Sequence, residues 1–266
     1  MKDIVLITGA TGGVGASLCH HLCEEFEVLA LARSQRKLSK LVEQLPAVTP
    51  IVADMESSSG LQGVLDAIST RYGYIPYIIN NAGVNLPASL TELTDEALSE
   101  SLQVNALAPL GIMRHFLPLM HEHDFGRIIN ITSGAPFNCF AGYGAYSASK
   151  AALNALTITA ANEYASRNIK INLMSPGPVR SGMAPAADLD PSVCHPTIDY
   201  LLRLGKDGPT GRFFWLGHEI PLLPDHEGID WLQGRAPEKY RINGDQAELQ
   251  QETSRQETLQ HEEKAR

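Results

Sequence analysis

The sequence predicts an α/β fold built on a doubly wound parallel sheet of about seven strands, with helices on both faces. Three observations predict it. Short β-rich apolar runs alternate with longer amphipathic stretches along most of the chain, and such alternation makes strand–helix–strand units whose strands run parallel. The strand candidates are nearly continuous apolar runs, as needed when both faces of a sheet are covered. The first of them leads directly into a glycine-rich turn and a helix, the arrangement that points a helix N-terminus at an anion.

Residues 2–8 form the first strand, and residues 14–25 the amphipathic helix beyond the glycine turn. Residues 27–31 are a second strand. Residues 35–45 carry Leu38, Leu41, Val42 and Leu45 at helical spacing. Residues 48–53 give a third strand, 60–72 a third helix and 77–80 a fourth strand. Residues 94–120 read as one long helix, capped by Thr94 or Asp95 and bent at Pro109. A fifth strand at 127–132, a long helix at 147–165 and a sixth strand at 170–174 follow. Past Pro176 the pattern loosens; residues 175–209 are rich in Pro, Gly and Asp, and 212–216 (RFFWL) are a seventh strand. Right-handed crossovers then give a Rossmann-type sheet. We expect one domain over residues 1–243, with a substrate segment at about 178–210. A polar tail rich in Gln and Glu spans 244–266, as a solvated helix or a disordered segment.

Bulk properties narrow the function. Of 266 residues, 44% are hydrophobic and 19% charged, which suits a sizeable core and not a disordered chain. The net charge of −9 leaves no basic surface for DNA or RNA. No stretch approaches the ~18 apolar residues of a membrane span, and the N-terminal run is too short for a signal peptide. The four cysteines (Cys19, Cys23, Cys139 and Cys194) are too few and scattered for a disulfide framework. The expectation is a cytoplasmic protein with reduced thiols, no nucleic-acid partner and no membrane contact.

Residues 8–15 read TGATGGVG. Glycines let a backbone approach a pyrophosphate closely, and the helix start supplies free N–H groups. Gly9, Gly13 and Gly15 fit TGxxxGxG, whereas Gly9, Gly12 and Gly15 fit GxxGxxG; Thr11 and Val14 complete the loop. The second strand ends in Ala32 and Arg33, with no acid to bind the ribose diol of NAD. A guanidinium there pairs with a 2′-phosphate, and Arg36 and Lys37 add positive charge, so the expected cofactor is NADP(H). Asp54, with Met55 beside it, is placed to meet the adenine.

Strand five ends in Ile131-Thr132-Ser133, and Tyr146 and Lys150 follow on one helix face. An ammonium near a phenol favours the phenolate and lowers its pKa. Ser133 is placed to donate a hydrogen bond to a carbonyl oxygen and polarise it. Alone, Tyr and Lys four residues apart are common on solvated helices; the upstream serine and the glycine loop make the pair a catalytic candidate.

With TGATGGVG, Asp54, Asn80-Asn81-Ala82-Gly83, Asn105, Ser133, Tyr146, Lys150 and Pro176-Gly177 in this order, the chain resembles the short-chain dehydrogenases/reductases of the single-domain type. The resemblance runs over residues 4–216. It implies NADP(H)-dependent reduction of a ketone or aldehyde, reversible as alcohol oxidation. By the same resemblance the NNAG segment supports the sheet and lines the cofactor. Asn105 holds a kink in the long helix and binds a water that relays protons through Lys150. Pro176, Gly177, Val179 and Ser181 lie against the nicotinamide carboxamide, with Ser181 in place of the family's usual threonine. NNAG and Asn105 decide the loop spacing for TGxxxGxG. A homo-oligomer, dimer or tetramer, is implied as well.

The substrate is less legible. Phe137, Phe140, Tyr143, Met183 and Leu201 suggest an apolar lining, while Phe213, Phe214 and Trp215 read as core. The segment 208–221 is more like the carbonyl-reductase-like members than the bacterial 3-oxoacyl-carrier-protein reductases. A 3-oxoacyl-thioester or polyketide reductase is the second enzyme reading, and a non-catalytic NADP(H)-binding sensor is the reading from another class. Cys19-His20-His21-Leu22-Cys23 has a metal-like look, but the two cysteines are expected as buried small hydrophobes on one helix face, and no metal is expected.

Overall fold

The computed structural model describes residues 2–222. In chain order these form β1 (Ile4–Thr8), α1 (Gly13–Leu22), β2 (Glu27–Ala32), α2 (Gln35–Gln44), β3 (Val48–Val52), α3 (Ser58–Tyr72) and β4 (Tyr77–Asn80). The second half comprises α4 (Asp95–Leu102), a π turn (Gln103–Leu107), α5 (Ala108–Glu122), β5 (Gly126–Ile131), α6 (Ala135–Asn138) and α7 (Gly144–Glu163). It continues through β6 (Ile169–Ser175), a 3-10 turn (Pro191–Cys194), α8 (His195–Leu202), β7 (Phe213–Trp215) and β8 (His218–Ile220). The polar tail from 244 lies outside the described residues.

The eight strands form one sheet in the order β3-β2-β1-β4-β5-β6-β7-β8. β1 to β7 are all parallel to their neighbours. Successive side chains of a strand point to opposite faces, and β1 shows why both faces need cover. Val5 and Ile7 pack with Leu18, Leu22, Leu38 and Ile198 from α1, α2 and α8. Leu6 points the other way, among Ile68, Ile112 and Phe116 from α3 and α5. Each such side chain contributes roughly 1.5–3 kcal/mol by leaving water. The strand order reverses beside β1, and a crevice opens at the carboxyl ends of the strands where the chain winds both ways.

The expected elements are present, with four corrections. The long helix runs from Asp95 to Glu122, but its interruption is the π turn and not a bend at Pro109. Pro109 follows the π turn directly, in the first turn of α5. Thr94 is the cap, its Oγ1 accepting from the Ala97 N–H at 3.2 Å. An eighth strand, antiparallel to β7, closes the edge through a two-residue turn. Leu216 (φ 44°) and Gly217 (φ 79°) both take positive φ there, the signature of a type I′ hairpin. In the loosened region, α8 and the preceding 3-10 turn were not foreseen, because Pro191 and Pro196 in their first turns interrupt the helical pattern. Finally, Phe213 and Phe214 are core, but Trp215 is 42% exposed, and Leu201 belongs to the core and not to a pocket wall.

Candidate active site

The glycine loop is built by three close approaches. Gly9 has φ +63°, and a Cβ there would stand 2.8 Å from the Ala82 Cα. A Cβ on Gly15 would strike the Gly9 carbonyl, and one on Gly13 would stand 2.7 Å from the Arg180 carbonyl oxygen. The TGxxxGxG spacing is therefore the one that packing enforces, since Gly12 has only an ordinary 3.4 Å contact. Thr8 clamps the loop to the NNAG segment. Its Oγ1 accepts from the N–H groups of Asn81 and Ala82, both at 2.9 Å, and Asn81 Nδ2 donates to the Thr8 and Gly9 carbonyls.

α1 starts at this loop with no side-chain cap and no acidic residue in its first turn. An uncapped N-terminus behind a glycine cradle fits a pyrophosphate. Thr11 and Gly12 lie at the rim, half-buried and exposed. Val14 and Val179 send their side chains into the core, so only their backbone faces the crevice. Met55 is buried on the other side of the sheet, and its carbonyl accepts from Gln103 Nε2. Gly177 takes φ +71° after β6, beside the Trp215 indole. Ser181 holds its own turn, its Oγ accepting from the Ala184 N–H at 3.2 Å.

At the adenosine end Arg33 does not stand free. Its Nη1 donates to Glu56 Oε1 at 2.7 Å. Asp54 Oδ1 accepts from the Glu56 N–H at 3.0 Å and so turns the chain after β3.

The four catalytic candidates come together. Asn105 lies in the π turn, fully buried, with its amide saturated. Its Oδ1 accepts from the Val84 N–H at 2.8 Å, and its Nδ2 donates to the Val84 carbonyl and to Ser149 Oγ, both at 2.9 Å. Ser149 Oγ donates in turn to the Tyr146 carbonyl, which ties α7 to the π turn. Lys150 Nζ donates to the Ile131 carbonyl at 2.7 Å and lies 5.9 Å from the Tyr146 ring centroid. A Cβ on Gly83 would be 3.1 Å from Asn105 Oδ1, so the small residue of NNAG makes room for the asparagine.

The electrostatics correct one expectation. Burial pulls the Lys150 ammonium down to about 8. Burial also raises the Tyr146 phenol, opposed by a hydrogen bond with Ser133, while Tyr143 raises it further. The lysine was expected to lower this pKa. Burial dominates instead, and the Lys150 ammonium donates to the Ile131 carbonyl. A raised phenol pKa favours the protonated form, which suits Tyr146 to giving up a proton.

An aromatic ledge rises from this centre. The rings of Tyr146 and Tyr143, and of Tyr143 and Phe140, meet edge-on at 6.4 Å. Phe140, Tyr143 and Phe137 are exposed at the mouth, with Met183 opposite. The loop carrying Leu90 is tied there by the Ala88 N–H, which donates to the Gly142 carbonyl at 3.0 Å. Sequence reasoning missed Leu90, 78% exposed, and the Arg180 carbonyl over the glycine loop. It also missed Thr8 and Glu56. Thr8 was visible in the motif, whereas the others become neighbours of the site only through tertiary contacts.

This geometry agrees with what the chain is similar to. The family model described as short chain dehydrogenase matches residues 3–191. A 3-oxoacyl-[acyl-carrier-protein] reductase of Thermotoga maritima is 30% identical over 185 residues, 68% of this chain and 75% of that protein. A metagenomic short-chain oxidoreductase solved in complex with NADP is 26% identical, with a TM-score of 0.72 over 80% of this chain and 96% of that one. A 4-hydroxyisoleucine dehydrogenase complexed with NADH is also 26% identical, with a TM-score of 0.71 over 80% of this chain and 96% of that one. The match spans more than half the chain and includes the glycine loop, Ser133, Tyr146 and Lys150: the chain belongs to the short chain dehydrogenase family of oxidoreductases.

Proposed function

We propose that the chain reduces a ketone or aldehyde to an alcohol with NADP(H). The observation that carries this reading is the buried Lys150, which donates to the Ile131 carbonyl and lies 5.9 Å from the Tyr146 ring centroid, with Ser133 two residues beyond Ile131. Gly9, Thr11, Gly12, Gly13, Val14 and Gly15 would hold the pyrophosphate through backbone N–H groups. Asp54, Met55, Asn81, Ala82 and Gly83 would line the adenosine and ribose, Arg33 the 2′-phosphate, and Pro176, Gly177, Val179 and Ser181 the carboxamide. When bound, NADPH supplies the hydride.

The chain's own residues do the rest. Ser133 and Tyr146 hydrogen-bond the substrate oxygen and stabilise the charge that develops on it. Tyr146 gives its proton to that oxygen. Lys150 is the proton source behind it, and its raised-energy charged state, with a pKa of about 8, makes the transfer easy near neutral pH. Asn105 holds the π turn and α7 in register, which fixes Tyr146 over Lys150. The exposed ledge of Phe140 and Tyr143 favours an apolar, preferably aromatic carbonyl compound. A 3-oxoacyl thioester is the second reading, supported by the Thermotoga maritima relative. A cytoplasmic homo-oligomer with reduced thiols is part of this proposal.

NADPH consumption over aromatic ketones, diketones and oxoacyl thioesters tests it. Turnover is expected with the aromatic ketones, and Tyr146→Phe should lower kcat by about 10²–10⁴. A Tyr146→Phe variant with full turnover removes the tyrosine from the mechanism. Cofactor binding with no turnover on any compound favours a sensor.

A further inference from the structure

The adenosine end of the crevice is closed by an ion pair drawn from two neighbouring strands. Ala32, the last residue of β2, is in register with Val52, the last of edge strand β3, and the Ala53 N–H donates to the Ala32 carbonyl at 3.1 Å. The segments leaving the two strands therefore start side by side. Arg33 follows β2 directly. Glu56 reaches it from the β3 side, its backbone turned by Asp54, and the two side chains meet at 2.7 Å. Arg33 is 70% exposed and Glu56 40%, so neither is locked by packing and the pair can part.

We infer that Glu56 is a positioning residue for cofactor choice: its carboxylate engages Arg33 and so weakens the preference for a 2′-phosphate that Arg33 supplies. This rests on the NADP(H) reading above. A guanidinium satisfied by Glu56 must release it, or share, before it forks onto a phosphate. The phosphate then sits near a carboxylate, and like charges at that range repel. A ribose diol meets the opposite situation. It offers two hydroxyl donors, and a carboxylate accepts them. Dinucleotide sites that take NAD carry such an acid at the end of the second strand. Here that end is Ala32, and Glu56 brings a carboxylate to the same corner from the next strand. The ion pair thus sets two cofactors closer in affinity than Arg33 alone would.

The test uses the full chain and two probes that carry no nicotinamide, adenosine 2′,5′-bisphosphate and adenosine 5′-monophosphate, with Kd read by calorimetry. Glu56→Gln keeps the shape and removes the charge. It should tighten the bisphosphate about fivefold, the size of a solvent-exposed pair, and weaken the monophosphate, whose ribose diol loses a carboxylate acceptor. That ratio is the decisive readout, because a merely structural role would move both probes together. The gain should shrink as salt rises. Arg33→Ala should weaken the bisphosphate about ten- to a hundredfold and spare the monophosphate. If Arg33→Ala binds both probes as the parent does, the NADP(H) reading falls and this inference with it. If Arg33→Ala loses the bisphosphate while Glu56→Gln leaves the ratio unmoved, the role of Glu56 alone is overturned.

Discussion

Arg127 and Lys150 are both buried cations at β5, Arg127 as its second residue and Lys150 bonded to the carbonyl of its last, so they lie at opposite ends of the parallel sheet. At the amino end Arg127 spends all five of its N–H groups on the Leu204, Gly126 and Asn168 carbonyls and the Asn168 side chain. Its guanidinium also lies 4.3 Å from the Phe125 ring centroid. At the carboxyl end Lys150 has one protein partner, the Ile131 carbonyl, for three N–H donors. Burial of a charge is costly unless its hydrogen bonds are met. Arg127 meets that condition within the protein and ties strand ends and α8 together. Lys150 makes one such bond within the protein, and it lies at the end of the sheet that carries the candidate site.

The comparison predicts opposite outcomes for matched substitutions. Lys150→Met should lower turnover about a thousandfold, since the proton source behind Tyr146 is lost. Arg127→Met should leave turnover per folded molecule near that of the parent while costing roughly 3 kcal/mol or more of stability, because three buried carbonyls lose their donors. Urea unfolding and steady-state assays on both variants check this. An Arg127→Met protein as stable as the parent would mean that water replaces the guanidinium, and that the amino end is not knitted by it.

Stability should also separate them by pH. A lysine in the unfolded chain holds its proton to about pH 10.4, whereas Lys150 in the folded chain holds it to about 8. Between these values the unfolded state binds more protons, so stability rises with pH across the window. Below pH 8 the burden of burying the ammonium is fully present. The shift corresponds to ~3 kcal/mol, and losing the bond to Ile131 returns part of it. Lys150→Met should therefore be more stable than the parent by ~1–2 kcal/mol at pH 7. That advantage should fade toward pH 10.5. Thermal melts at both pH values read it, and a Tm advantage that does not change with pH would place its origin in packing.

The same contrast explains what could be read from the sequence. The parallel strands of the sheet and the motif residues were legible because local pattern determines them: apolar runs, glycines forced by close approach, Tyr146 and Lys150 one helical turn apart. The π turn was not legible in composition, since nothing in Gln103–Leu107 departs from an ordinary helix and the bonds from Asn105 to Val84 and Ser149 are tertiary; the expected kink at Asn105 came from the family resemblance alone. The phenol's raised pKa was not legible either, because it depends on how deeply Tyr146 sits. Arg127 passed unnoticed as one residue of a strand. Its partners at Asn168 and Leu204 are 41 and 77 residues away.

The two ends differ also in how they treat backbone strain. At the amino end the positive-φ position before β5 is Asp124 (φ 46°), a residue type that tolerates it, and its Oδ1 accepts from the Asn168 N–H at 3.3 Å. At the carboxyl end the position is Leu216 (φ 44°), in the turn between β7 and β8, where a branched side chain gains no such support. The left-handed conformation costs a leucine roughly 1–2 kcal/mol, and asparagine suits the first central position of a type I′ turn. Leu216→Asn should thus stabilise the protein by about 1 kcal/mol, a rise in Tm of about 2–4 °C. A fall in Tm would mean that the Leu216 side chain, which leans toward Gly177, contributes more at the mouth of the crevice than its backbone costs. Strain would then be held at the carboxyl end for the sake of the site.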